Sequence, residues 1–316
     1  MANATTSSLG QVNSAGANDA LFLKVFSNEV LASFLKENKM LGMTTVRTIS
    51  SGKSAQFPVT GAVSASYHTA GNEITGQAIK HNEKVINIDN MLLADAFVAE
   101  IDELKNHYDV RSEYAKQLGQ ALANTTDKYL LSLAILASQA SANLTGGVGG
   151  YSILDADANT NADSLIGSIF EAIQRLDENN VPSSDRFIVV APDQYYQLAN
   201  VDKLVNRDFS DQAGDFAKGT VMSIGGVPVI KSNTGTSVYN TDLSASITGA
   251  NNTYNGNFTN YFATVFHKSA IGTVKLKDMV MEATYDPRRL GTLMTARMAM
   301  GHGILRPESA VSIRIA

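Results

Sequence analysis

The sequence predicts an α+β protein hung on one long helix. Three observations carry that prediction: a helical stripe unbroken by proline from Asp102 to Ala140, two extended segments separated by a long polar tip, and an alternation of helix with buried strand in the second half of the chain. At 1.5 Å per residue the helix would extend on the order of 55 Å. Leu104, Tyr108, Arg111, Ala115, Leu118, Leu122, Tyr129, Leu133 and Leu136 recur at three-and-four spacing and so share a face, on which only Arg111 is polar. Asp102 and Glu103 favour the positive end of the helix dipole, and Gly146, Gly147, Gly149 and Gly150 lie beyond the other end. Gly119 costs about 1 kcal/mol relative to alanine, which the periodicity on both sides outweighs.

In chain order, residues 1–19 read as a flexible polar arm. An apolar stretch follows from Ala20 to Phe26 and continues through Val30, Leu31, Phe34 and Leu35, as an anchor that packs on this chain or on another body. From Arg47 to Asp89 the character is extended. Ser54–Val59 and Lys84–Asp89 flank glycine-bearing polar sequence and describe a projecting hairpin, with Pro58 at an edge position or strand end because it cannot donate to a ladder. Such a hairpin is marginal alone in water and is expected to lie on something else. After the long helix and a Gly, Asp and Asn-rich linker to Ala162, Asp163 or Ser164 caps a second helix carrying Leu165, Ile166, Ile169, Ile173 and Leu176. Phe187–Ala191 is a buried-type strand, Pro192–Asp193 opens a further helix, and Val227–Ile230 is another strand, which together make a mixed subdomain over about 164–231. Residues 232–260, almost pure Ser, Thr, Asn, Gly and Tyr, are expected to form a surface excursion. The chain closes in strands, Val274 and Leu276 alternating with lysines and Val311, Ile313 and Ile315 with Ser312 and Arg314; Met294, Met298 and Met300 fit either period.

The chain of 316 residues is 44% hydrophobic and 17% charged, enough to bury a core and poor in surface charge, as expected where neighbours cover much of the surface. Its net charge of -5 argues against a dedicated nucleic-acid binder. The absence of cysteine excludes disulfides, thiolate metal sites and a cysteine nucleophile. No secretory signal and no membrane span are predicted, and the protein is expected to be soluble.

Catalytic signatures are lacking. Gly52-Lys53-Ser54 ends like a phosphate loop, but Arg47 stands where the first glycine belongs and Phe57-Pro58 where a helix should follow. His68, His81, His107, His267 and His302 have no metal-ligand spacing and read as surface or turn residues. Asp109 and Glu113, four apart, repel unless a cation such as Arg111 compensates. No catalytic residue, cofactor or metal is predicted. An arm, a projecting hairpin and a long rod bury little within one chain and make sense when neighbouring copies supply the missing burial in a repeating assembly.

Six ordered blocks carry a resemblance. They are Ala20–Phe26, Ile49–Pro58, Glu83–Ile86 with Ile88-Asp89, Asn106–Tyr114, Gly272–Asp278, and Met300–Gly303 with Leu305–Glu308. On these the sequence resembles the major capsid proteins of short-tailed bacteriophages, of the enterobacterial and marine cyanobacterial type, from about residue 20 to 309. The resemblance implies the capsid fold shared by tailed phages and herpesviruses: 1–46 an N-terminal arm, 47–95 an extended hairpin loop, 96–163 a peripheral domain with spine helix 102–140, 164–262 mainly an axial domain, and 263–316 a return to the peripheral domain.

It implies a structural protein, not an enzyme. Hexamers and pentamers of this chain would tile an icosahedral shell around double-stranded DNA, with scaffolding and portal proteins as partners and no membrane, assembled in the bacterial cytoplasm into a virion. Lys53, Glu83, Lys84, Asp109, Arg111 and Glu113 are expected at contacts between the hairpin loop of one subunit and the spine of the next, and Arg288, Arg289 and Arg297 are expected to face DNA. Two alternatives stay open on sequence: a cellular encapsulating shell of the same fold, distinguished by enzyme cargo, and a soluble α/β enzyme, which would run as a small oligomer.

Overall fold

The structure, a computed structural model, describes residues 39–105, 110–201 and 223–315 apart from 62, 64, 75 and 246. The chain forms strands β1 (Thr45–Thr48), β2 (Ser54–Thr60), β3 (His81–Asn87) and β4 (Leu92–Ala99), then helices α1 (Glu100–Lys105) and α2 (Val110–Gln139). There follow β5 (Tyr151–Leu154), α3 (Ala162–Glu178), β6 (Arg186–Val190), α4 (Pro192–Ala199), β7 (Ser223–Ile224) and β8 (Val227–Lys231), and finally β9 (Tyr261–His267), β10 (Ile271–Asp286), β11 (Gly291–Ile304) and β12 (Ala310–Arg314). Two compact units result. One combines Asn90–Thr126 with Lys277–Met300, and the other Lys39–Asp89 with Asp127–Leu276 and Gly301–Ala316.

In the larger unit six strands lie in the order β5-β12-β9-β6-β8-β7. Because successive strand residues point to opposite faces, β6 sends Ile188 and Val190 to one side and Val189 to the other. The first side, with Val265, Val311 and Ile313, packs on Leu165, Ile169, Ala172 and Leu176 of α3. The second, with Phe266 and Ala310, packs on Leu130, Leu133, Ala134 and Ala137 of α2. The cap of α3 is Asn161, two residues before the expected Asp163, its side chain accepting from the amides of Asp163 and Ser164 at 3.0 and 3.4 Å. The Ser164 hydroxyl is instead engaged by Asp155 at 2.8 Å.

One expectation needs correcting here. Residues 232–260 are core: Val238, Tyr239, Leu243, Ile247, Tyr254 and Phe258 are all buried. From Tyr239 to Phe258 these residues fall four or seven apart, yet the backbone that carries them is irregular, and the polar residues between them bond backbone instead of water. Asn255 accepts from the Ile247 amide at 3.0 Å and donates to its carbonyl at 2.9 Å, and Asn240 accepts from the Asn260 amide at 3.2 Å. Residues 263–316 are divided between the two units. Strands β9 and β12 belong to the same sheet as β6 and β8, while Lys277–Met300 lies in the other unit. Ser312, which alternates with Val311 and Ile313, is also fully buried because β12 is flanked on both sides and its hydroxyl meets those of Ser138 and Ser152 at 2.6 and 2.8 Å.

The smaller unit pairs β4 antiparallel to β11 from Ala99↔Gly291 to Leu92↔Met298. The ambiguous methionines are therefore strand residues. Met294, Ala296, Met298 and Met300 share one face and pack with Leu92, Ala94 and Val98 against Tyr114, Ala115, Leu118 and Leu122 of α2. A Cβ on Gly119 would stand 2.7 Å from the Met281 methyl, so close approach explains the glycine that sequence treats only as a cost. The long helix is seen as α1 and α2, with residues 106–109 between them outside the described residues.

Candidate functional site

The hairpin buries little surface of its own. Strands β2 and β3 pair antiparallel over seven positions, from Ser54↔Asn87 to Thr60↔His81, as a two-stranded ribbon. Ala55, Val59 and Ile86 turn inward and are buried, whereas Val85 is exposed. Pro58 stands opposite Glu83, and in a two-stranded ribbon its missing N–H can fall on the open side. The connecting residues 61–80 expose Val63, Tyr67, Ile74 and Ile79, Tyr67 completely.

The ribbon is fastened at two places, its end next to residues 61–80 and its root at Asn87–Asp89. At the first, Lys80 Nζ donates to the Thr145 carbonyl at 2.7 Å and Asn82 Nδ2 to that of Asn143 at 2.5 Å. At the second, Asn87–Asp89 meet the 251–254 loop. The Asp89 carboxylate accepts from the amides of Asn251 and Asn252 at 2.8 and 3.0 Å, from Asn252 Nδ2 at 2.9 Å, and from the Tyr254 hydroxyl. Asn251 Nδ2 donates to the Ile88 carbonyl and Asn252 Nδ2 to that of Asn87, both at 2.7 Å. Tyr254 stacks on Tyr129 of α2 with ring centroids 4.7 Å apart, and its oxygen accepts from the His302 amide at 3.0 Å. Burial and the nearby Asp89 charge both push the Tyr254 phenol well above its ordinary value, so it stays a donor to Asp89.

His302 is buried, against the expectation of a surface or turn residue, and burial lowers its imidazole to about 4. Its Nδ1 lies 3.0 Å from the Thr273 hydroxyl, which lies 3.0 Å from that of Thr44, and Thr44 donates to the Leu41 carbonyl at 3.0 Å. Read back from that carbonyl, the chain of donors assigns the proton to Nδ1 of a neutral ring. A buried strand neighbour, not a ligand, explains this histidine. His68 and His81 are exposed, and His267 is half-buried and accepts from the Ser269 amide at 3.1 Å. His107 lies outside the described residues.

The charged residues expected at contacts fall as follows. Lys53 is exposed and gives its carbonyl to the Ile88 amide at 2.8 Å, closing the ribbon's root. Glu83 is exposed and Lys84 half-buried, and among the described residues none of the three has an ion-pair partner. Glu113 accepts from Gln117 at 3.5 Å, a weak contact. Asp109 and the side chain of Arg111 lie outside the described residues. Of the three arginines expected on DNA, Arg289 pairs with Asp286 at 3.2 Å and Arg297 with Glu282 at 2.5 Å, while the exposed Arg288 side chain has no ion pair among the described residues. Among those residues no group of three or more His, Asp or Glu could hold a metal, and no helix is long and apolar enough to cross a membrane. Sequence reasoning missed Asp89, Asn251, Asn252 and Tyr254. The available signal was that Ile88-Asp89 and Met300–Gly303 fall in the blocks quoted above without any role of their own.

Residues 56–314 match the profile of the family described as Gp10A-like major capsid protein. The chain is 34% identical to the major capsid protein of Escherichia phage T7, over 96% of this chain and 94% of that one. The capsid structure of cyanophage P-SCSP1u superposes with a TM-score of 0.83 at 42% identity, over 100% of this chain and 99% of that one. The mature capsid of bacteriophage PhiM1 shares the fold, with a TM-score of 0.76 at 20% identity over 98% of this chain and 97% of that one.

Proposed function

Since the chain belongs to the Gp10A-like family of phage major capsid proteins, and is thereby a structural protein of an icosahedral virion shell, we propose that its copies associate as hexamers and pentamers by laying the β2–β3 hairpin on neighbouring copies. The observation that supports this is the set of apolar side chains on residues 61–80, Val63, Tyr67, Ile74 and Ile79, which the subunit itself leaves in water. Each is worth about 1.5–3 kcal/mol when fully covered, so a neighbour's surface is their natural burial site. Lys53, at the ribbon's root, and Glu83 and Lys84 on it have no ion-pair partner among the described residues and set register more than affinity when they meet a neighbour. Asp109, Arg111 and Glu113 of a neighbouring long helix are the proposed counterparts.

Double-stranded DNA is the proposed content of the shell, with Arg288 the best of the three arginines for facing it because among the described residues no carboxylate answers its charge. Scaffolding and portal proteins are the further partners proposed on family membership, with assembly in the bacterial cytoplasm. No catalytic role is proposed. The test is the pair Tyr67→Asp and Ile74→Asp in one chain. Soluble, folded subunits without closed particles are expected by sedimentation and electron microscopy, and wild-type particle yield would remove the hairpin from the contact.

A further inference from the structure

The low-complexity loop around Asn251 is fastened to the hairpin in a way that nothing in its composition announces. We infer that this loop is the latch that fixes the direction in which the β2–β3 hairpin leaves the subunit, with Asp89 as its positioning residue; the inference rests on the reading that the hairpin contacts neighbouring copies.

The argument starts from connectivity. Asp89 is two residues beyond the end of β3, so whatever holds Asp89 holds the ribbon at its root. Its carboxylate takes four donors, three of them from Asn251 and Asn252 and the fourth from Tyr254. The two asparagines also bond the backbone on the hairpin side: Asn252 forms a two-way link with Asn87, accepting from its amide at 3.3 Å and donating to its carbonyl at 2.7 Å, while Asn251 donates to Ile88. Amide side chains in this role copy a neighbouring strand, since each presents one donor and one acceptor as a backbone peptide does. The loop in turn is immobilised. Tyr254 is buried, stacked on Tyr129 of α2 and bonded by the His302 amide, and Phe258 a few residues on is fully buried. A ribbon of two strands has almost no core to set its own direction. The direction therefore comes from its attachments, and the charge-assisted bonds to one carboxylate at the root define it better than apolar packing because they fail on small displacements.

Glycines make the same root close. A Cβ on Gly301 would stand 1.9 Å from the Asn87 carbonyl oxygen, so β11 passes the end of β3 backbone to backbone. Ile86 covers Gly272 and Gly303 from the hairpin side. Lys80 and Asn82 hold the ribbon's far end through carbonyls of Thr145 and Asn143, but these are bonds from single exposed side chains, whereas Asp89 at the root gathers the donors of a whole turn.

The experiment compares full-length wild type with Asp89→Ala, Asp89→Asn and Asn252→Ala. Amide hydrogen exchange is read by mass spectrometry on the unassembled chain, and closed-shell yield by sedimentation with electron microscopy. Asp89→Ala is expected to raise exchange in peptides covering 54–60 and 81–89 at least tenfold, to leave β6, β9 and β12 at wild-type exchange, and to lower closed-shell yield at least tenfold. Asp89→Asn keeps an acceptor oxygen for the Asn251 and Asn252 amides and is expected to recover most of the yield. Asn252→Ala gives the same pattern at smaller amplitude, and it carries the test if Asp89→Ala does not fold. Wild-type exchange in the hairpin overturns the inference. So does a loosened hairpin with wild-type shell yield, or an equal loss of protection in β6, β9 and β12, which would make Asp89 a residue of the general fold. Failure of the underlying reading shows separately, as normal shells from the Tyr67→Asp/Ile74→Asp chain, whose root is untouched.

Discussion

Acid acts on the unassembled subunit through two enclosed groups that respond in opposite directions, and separating them tests how each is held. His302 has its imidazole lowered to about 4 by burial, against 6.5 in an open chain. Between those values the unfolded chain binds the extra proton, so stability present in full above pH 6.5 is lost as the pH falls toward 4, by about 3 kcal/mol at 1.36 kcal/mol per tenfold change in proton affinity. Asp127 is the reverse case. Burial raises its carboxyl from 3.8 to about 6, although the amides of Lys39 and Met40, at 3.0 and 3.2 Å, and the Lys39 charge pull the other way. Here the folded chain binds the proton first, so stability is gained as the pH falls through 6 and is complete below 3.8, again by about 3 kcal/mol. In the wild type the two largely offset each other between pH 6 and 4.

Single variants expose each half. Asp127→Asn removes the acid-side gain, so its stability relative to wild type should fall by about 2 kcal/mol between pH 7 and 4.5. His302→Asn keeps a donor for Thr273 and removes the acid-side loss, so its relative stability should rise by about 2 kcal/mol over the same range. Urea unfolding at each pH serves as the assay, followed by far-UV circular dichroism because the chain has no tryptophan. Variant-minus-wild-type curves cancel every other titrating group. Curves that run flat for both variants would refute the reasoning, since neither group would then change its proton affinity on folding.

Two further outcomes test packing. Phe258→Ala removes a fully buried ring from the core of the larger unit and should cost about 3–5 kcal/mol in urea unfolding; a cost below about 1 kcal/mol would return residues 232–260 to the surface. Gly301→Ala places a methyl group 1.9 Å from the Asn87 carbonyl, where backbone must move on one side or the other. A destabilisation of more than about 2 kcal/mol is expected, and an unchanged melting temperature would show that β11 does not pass β3 so closely.

What the sequence disclosed and what it hid follow from the physics of the signals. Helix α3 and strands β6 and β8 are legible because their apolar residues repeat at 3.6 or run continuously, and a repeat survives in one dimension. The hairpin is legible because its two arms alternate and a long polar tip separates them. Residues 232–260 are not, because Val238, Leu243, Ile247, Tyr254 and Phe258 reach the core from irregular backbone and are outnumbered by Ser, Thr, Asn and Gly, which read as loop. Asparagine then misleads twice: it reads as solvated loop, yet Asn251, Asn252 and Asn255 spend their amides on backbone groups of the fold. Asp89 was hidden for a related reason. Its partners lie more than 160 positions away in the chain, so the cluster exists only once the fold has formed.

The second half of α2 shows why the long helix serves so well as the centre of the larger unit. From Leu130 to Ser138 only Leu136 escapes full burial, so this stretch has no polar face at all, and the stripe that sequence assigns to one side understates it. Burial on every side requires the hydroxyls to be answered internally, and they are: Ser132 donates to the Lys128 carbonyl at 2.9 Å, and Ser138 to the Ser312 hydroxyl in β12 at 2.6 Å. Tyr129, one residue before that stretch, supplies the ring on which Tyr254 stacks. The hairpin's root is thus tied through Tyr254 to the most deeply packed helix of the unit, while its tip keeps Tyr67 wholly in solvent. Local stability follows the density of buried contacts, so opening should become easier from root to tip along the ribbon. A shell subunit built this way can adjust the tip to the neighbour it meets without disturbing the core from which the ribbon is aimed.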